Sequence, residues 1–145
     1  MSKRDNRLYI TDIFIAINKI QRYTKEISDA EELRWNEMVW DATIRELEII
    51  GEATRVLIES NVLENQKYRK IVDFRNIIAH GYFGLDEDEV FIVIKDKLVI
   101  FENELIELIK QNNIPIQESI LLVIEENSKI PLLTEYLQKL KERFE

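Results

Sequence analysis

Three observations predict an all-α fold. Only three glycines and two prolines punctuate the 145 residues, too few for the many turns of a strand-rich domain. Apolar residues recur at steps of three and four along most of the chain, the period of helices that bury one face. Alternation with a period of two, which would mark half-buried strands, is missing.

Each element can be justified in turn. Ile10, Ile13, Phe14, Ile17 and Ile20 stand at helical spacing and predict a first helix over about residues 7–27. Ser28-Asp29-Ala30 interrupts it, and a short turn or helix through Leu33 follows. A long helix is expected over about residues 36–60. Its core face includes Val39, Ile50, Ala53 and Leu57, and Asp41, Arg45, Glu48 and Glu52 recur on a polar stripe. Residues 67–81 read as a helix of about four turns, closed by Gly81 in the left-handed conformation that glycine takes without penalty. Asp86-Glu87-Asp88-Glu89 opens the next helix, its carboxylates at the positive end of the dipole. Phe91, Ile94, Leu98, Phe101, Leu105 and Leu108 then form the stripe of a bundle seam. Two shorter helices, about 116–126 and 132–144, follow a break at residues 112–115. The last carries Leu133, Tyr136, Leu137, Leu140 and Phe144 on one side. The expected organisation is a helical domain over residues 1–112 and a C-terminal helical extension over 113–145. Trp35 and Trp40 suit either an interface or the core.

Composition narrows the chemistry. The absence of cysteine removes disulfides, thiol nucleophiles and thiolate metal sites. A single histidine argues against the usual zinc sites and leaves only carboxylate sites of the magnesium type open. The first residues, Met1-Ser2-Lys3-Arg4-Asp5-Asn6, lead into no apolar signal-peptide core. No apolar run reaches the ~18 residues of a membrane span, so a soluble, cytoplasmic protein without a membrane partner is expected. The net charge of −8 works against nonspecific RNA affinity. That charge is uneven, −1 over residues 1–84 and −7 over residues 85–145. Lys67, Arg69, Lys70 and Arg75 outnumber Asp73 in the segment around the histidine, a locally basic site on an acidic molecule. The acidic remainder offers a surface to a basic partner.

The segment Arg75-Asn76-Ile77-Ile78-Ala79-His80-Gly81-Tyr82 holds that histidine. His80 is the only side chain whose ordinary pKa suits proton transfer near neutrality. Arg75 supplies a permanent planar cation that matches phosphate oxygens. At about 100° per residue, Arg75, Asn76 and His80 fall within about 140° of one another. Ile71, Phe74 and Ile78 form a separate apolar stripe, so the three polar residues are expected to point away from the core. Asn76 and His80 are neighbours at i,i+4, and Tyr82 follows in the turn. A lone histidine at a helix end can simply complement the dipole. An imidazole beside a guanidinium is, however, what phosphodiester cleavage needs.

Arg75-x4-His80-x-Tyr82 resembles the motif of HepT-like proteins in the HEPN superfamily. The likeness runs over about residues 4–112 and includes the stretch from Asp41 through Ala53, with Gly51 and Glu52, and Phe83-Gly84-Leu85-Asp86. It implies a HEPN-type antiparallel helical bundle, here with two extra C-terminal helices. It implies a metal-independent endoribonuclease toxin that needs no cofactor and works as a homodimer whose motif helices meet at a shared cleft. It also implies a partner antitoxin, an MntA-type nucleotidyltransferase that attaches AMP to the motif tyrosine. Carried over, Arg75 and His80 are the catalytic pair and Tyr82 the modification target. Asn76 is expected to orient the phosphate or His80. Asp41, Arg45 and Glu52 are supporting candidates that could buffer Arg75 or position His80, whereas Glu48 reads as ordinary surface charge. Two other functions compete with the nuclease. One is a non-catalytic HEPN subunit that binds nucleotide or substrate for a partner nucleotidyltransferase; the other is a purely structural helical dimer.

Overall fold

The computed structural model describes residues 4–81 and 85–145. Eight α-helices follow one another among them: α1 (Asn6–Tyr23), α2 (Ala30–Trp35), α3 (Glu37–Glu59), α4 (Asn65–His80), α5 (Glu87–Ile92), α6 (Leu98–Gln111), α7 (Gln117–Glu126) and α8 (Pro131–Glu142). A π-helical turn, Val93–Lys97, joins α5 to α6. There is no strand among the described residues, and the fold is an all-α helical bundle. None of these helices is long and apolar enough to cross a membrane.

Local sequence sets most of the boundaries. Asp5, Asp29, Asn36 and Asp86 are N-caps whose side chains accept the free amides of Arg7, Glu32, Val39 and Asp88. α1 ends before residue 27, with Thr24 as its C-cap, whose hydroxyl and amide both bond the Ile20 carbonyl. The apolar pattern runs on only because Ile27, folded back by a bond from its amide to the Thr24 carbonyl, is itself buried. Asn61 closes α3 in the left-handed region with φ of 60°. Gly81 does not do the same for α4. It is extended, with φ of −156°, and its amide bonds back to the Ile77 carbonyl.

α3 is the central helix, with α1 and α4 packed along it. α2 fills the space between α3 and α5, and α7 and α8 pair with each other over α1. One apolar cluster runs from Ile10 to Leu140 and takes in every helix. Ile94, Leu98, Phe101 and Leu105 of the expected seam are buried, while Phe91 and Leu108 are half-buried. The π turn has a cause in this pattern. Val90, Ile94 and Leu98 are buried at successive steps of four, which drift by about 40° each on a regular helix. A wider turn takes up that drift. The C-terminal helices are tied to the bundle by polar bonds as well. The Tyr136 hydroxyl donates to Glu102 at 2.5 Å, and Arg7 Nη1 donates to the Pro115 carbonyl at 3.4 Å.

Candidate active site

α3 and α4 form an antiparallel pair joined by a short turn, and Gly51 packs directly against Arg75 across it. A Cβ on Gly51 would lie 2.1 Å from Arg75 Cβ and 2.6 Å from its Cγ. Glycine inside a helix costs about 1 kcal/mol relative to alanine, and here it allows the two backbones to come this close. Arg75 therefore lies in the seam between the helices with 28 % of its side chain exposed.

The expectation that Arg75 points away from the core is corrected by its neighbours on α4. Tyr68 and Val72 are buried together with Ile78. On the helical wheel these two sit within about 60° of Arg75. The buried face thus includes the arginine, and only its tip reaches solvent. Asn76 is half-buried, and its Oδ1 accepts from Arg75 Nη1 at 3.2 Å. Arg75 Nη2 lies 3.5 Å from Glu52 Oε2. Arg75 Nε is buried without a hydrogen-bond partner among the described residues.

Glu52 is shared. Arg55, one turn along α3, donates from Nη2 to Oε1 at 2.5 Å and from Nε to Oε2 at 3.2 Å. Arg55 Nη1 in turn donates to Glu59 at 2.7 Å. The hydrogen bonds from Arg55 hold the Glu52 carboxyl below its usual range, and Arg75 adds only a smaller push in the same direction.

His80 is exposed at the last position of α4. It lies five positions after Arg75, about 7.5 Å along the helix axis and about 140° around it. Among the described residues no hydrogen bond joins the two groups within one chain. Asp41 and Arg45 are exposed on the N-terminal half of α3, the half beside the C-terminal end of α4. Neither makes a hydrogen bond or ion pair with the motif among the described residues. Tyr82, with Phe83 and Gly84, lies outside the described residues. The basic character of the segment is smaller than the sequence count, since Lys67 pairs with Glu104 at 2.8 Å and Arg69 with Asp73 at 3.2 Å. Trp35 is 70 % exposed and Trp40 is half-buried, and the Arg34 guanidinium sits between them, 4.9 and 5.1 Å from their ring centres.

Sequence reasoning missed Gly51 and Arg55 as parts of the site. For Gly51 a signal existed, a glycine in the middle of a strong helix pattern, which asks for a packing reason. A second feature is an open groove of about 530 Å³ between α4 and the π turn with α6, lined by Tyr68, Phe74, Ile77, Val93, Ile100 and Phe101 among others. Among the described residues, no three His, Cys, Asp or Glu side chains converge as a metal site.

Comparison with known proteins identifies the family. The family model described as Ribonuclease HepT-like matches residues 13–111, so α7 and α8 lie beyond the match. "Putative RNase MJ1380" of Methanocaldococcus jannaschii is 36 % identical over 106 residues, which are 72 % of this chain and 96 % of that protein. "Probable ribonuclease HepT" of Thermococcus cleftensis is 31 % identical over 98 residues, 66 % of this chain and 88 % of that protein. No solved structure matches the chain. On the family model and on these relatives, the chain belongs to the ribonuclease HepT-like family of the HEPN superfamily.

Proposed function

We propose that this chain, an RNA-cleaving enzyme by family, cuts RNA without a metal ion through Arg75 and His80, as the cytoplasmic toxin of a HepT/MntA-type pair. The observation that carries the reading is the placement of Arg75. Its guanidinium is held between α3 and α4 with its tip at the surface, one and a half turns before an exposed His80. A cation fixed by packing is already in place for a phosphate, so little ordering cost falls on the transition state.

In the proposed reaction the ribose 2′-oxygen attacks phosphorus as its proton passes to an imidazole. The bond from phosphorus to the 5′-oxygen breaks, and a second group protonates the departing oxygen. The products are a 2′,3′-cyclic phosphate and a 5′-hydroxyl. Arg75 offsets the charge that grows on the non-bridging oxygens, and His80 serves as acid or base. Asn76 orients the guanidinium through its Oδ1, and Glu52 lies behind it. One histidine per chain supplies one imidazole, so a homodimer with two facing motif helices provides the second. Asp41 and Arg45 reach the reaction only through bound RNA or the second copy.

Residues 1–112 are taken as the HEPN unit and 113–145 as an appended pair of helices. The antitoxin is a nucleotidyltransferase of the MntA type. Transfer of AMP from ATP to the Tyr82 hydroxyl, with release of pyrophosphate, places a phosphate and a base two residues from His80, where they exclude RNA by charge and bulk.

The test is incubation of total RNA with the purified protein and with His80→Ala in excess EDTA. Cleavage by the first alone, with cyclic phosphate ends, is the expected result. Intact RNA in both, with mass spectrometry showing unmodified Tyr82, overturns the nuclease assignment in favour of a nucleotide-binding subunit that serves the transferase.

A further inference from the structure

We infer that Arg55 is a positioning residue that keeps the Glu52 carboxylate off Arg75, leaving the Arg75 guanidinium free to take a phosphate. The inference rests on the reading of Arg75 as the phosphate-binding group. Glu52 stands between two arginines and is bound unequally by them. Arg55 holds both its oxygens, at 2.5 and 3.2 Å, whereas Arg75 comes only to 3.5 Å of one of them. Arg55 is itself held from behind by Glu59 at 2.7 Å. The three side chains form a ladder along one face of α3, at spacings of three and four.

A carboxylate is most strongly bound when one guanidinium takes both its oxygens. Arg55 now occupies that position. Without it, Glu52, 41 % exposed, is free to turn toward Arg75, whose Nη2 makes no hydrogen bond among the described residues. A closed Glu52–Arg75 pair would cancel the charge of the arginine and occupy the donors that RNA needs. The phosphate would then have to displace an internal anion. Arg55 thus acts through Glu52 on the availability of Arg75, without touching the substrate.

The test compares Arg55→Ala, Glu52→Gln, the double variant and Arg75→Ala with the unmodified full chain, each checked for fold by circular dichroism. Two quantities are read, retention of total RNA on a filter and the apparent KM for cleavage of total RNA in EDTA. Arg55→Ala is expected to weaken RNA binding by about fivefold, the size of a partly exposed ion pair, with a matching rise in KM. In the Glu52→Gln background, removal of Arg55 is expected to change nothing further, because no carboxylate is left to capture Arg75. A loss of the same size with or without Glu52 overturns the inference, since Arg55 would then bind RNA itself or support α3. Unchanged binding in Arg55→Ala overturns it as well. If Arg75→Ala binds and cleaves normally, the reading of Arg75 falls, and the inference with it. An inactive Arg75→Ala beside an unaffected Arg55→Ala removes the inference alone.

Discussion

Replacing Gly51 by alanine tests whether the α3–α4 seam sets the position of Arg75. The added Cβ would stand 2.1 Å from Arg75 Cβ, against an ordinary carbon–carbon contact of about 3.5–4.0 Å. A change of rotamer does not relieve this, because the Cβ of Arg75 is fixed by its backbone. The helices must therefore part by more than about 1 Å at that level. Such overpacking costs about 1–3 kcal/mol, offset by about 1 kcal/mol from the better helix propensity of alanine. The net loss is about 0–2 kcal/mol, and for a chain of this size Tm falls by up to about 6 °C. The native state, typically stable by about 5–15 kcal/mol, survives this. Cleavage should suffer more than stability, since a displacement of about 1 Å in a positioned group costs on the order of 10²-fold in rate. Thermal unfolding by circular dichroism and cleavage of total RNA well below Tm separate the two effects. An unchanged Tm together with unchanged cleavage would refute the reasoning, because the contact that holds Arg75 would then be of no consequence.

Four other outcomes follow from the same reading. His80→Ala, at an exposed position, should leave Tm unchanged and lower cleavage by about 10²–10⁴-fold; equal cleavage removes His80 from the chemistry. A heterodimer with a single His80, purified through two different tags, should lose most of its activity if two imidazoles share the work, and full activity would sink that scheme. Leu137→Ala, in the fully buried face of α8, should destabilise the whole chain by about 2–5 kcal/mol in one cooperative transition. A separate early transition would show instead that the C-terminal helices melt on their own. Glu46 gives a pH dependence. Burial between α1 and α3 pushes its carboxyl up, against Lys19 and Arg45, so the folded state holds this proton to a higher pH than the unfolded chain does. Its contribution to stability falls as pH rises from the unfolded pKa through the folded one, and the charged form is a liability at neutrality. Glu46→Gln should raise Tm at pH 7 and bring no gain at pH 3. A gain of the same size at both values would rule out titration as the cause.

What the sequence made legible was mainly local. The caps Asp29, Asn36 and Asp86 act on amides two or three residues away, so the pattern of one short segment locates them. The long apolar stripes identify helices for the same reason. Arg75 shows where this stops. Its burial depends on Gly51, 24 positions earlier in the chain, and a stripe drawn only through Ile71, Phe74 and Ile78 leaves out the Tyr68 and Val72 side of the helix. The extended Gly81 was not readable either, because glycine permits the left-handed conformation without requiring it. The contact of Tyr136 with Glu102 joins residues that no periodicity relates. The pairing of Lys67 with Glu104 spends a cation that the linear count assigned to the motif.

The two groups of the motif are held in opposite ways, and this bears on the size of the catalytic unit. Arg75 is anchored along its length by α3, so its position is a property of the folded chain. His80 ends a helix, is exposed, and has no hydrogen-bonded partner among the described residues. An imidazole needs a neighbour to fix its ring and its tautomer, and proton transfer needs heavy atoms within about 3 Å. Arg75 of the same chain is directed instead to Asn76 and Glu52. With Asn76, its i,i+4 neighbour, bonded to Arg75, the orienting group on this reading comes from beyond the helix: RNA, the segment after Gly81, or a second copy of the chain. Of these, only a second copy also brings another imidazole. On the proposed mechanism a single chain supplies the phosphate grip and one imidazole, which makes dimerisation part of the proposed chemistry.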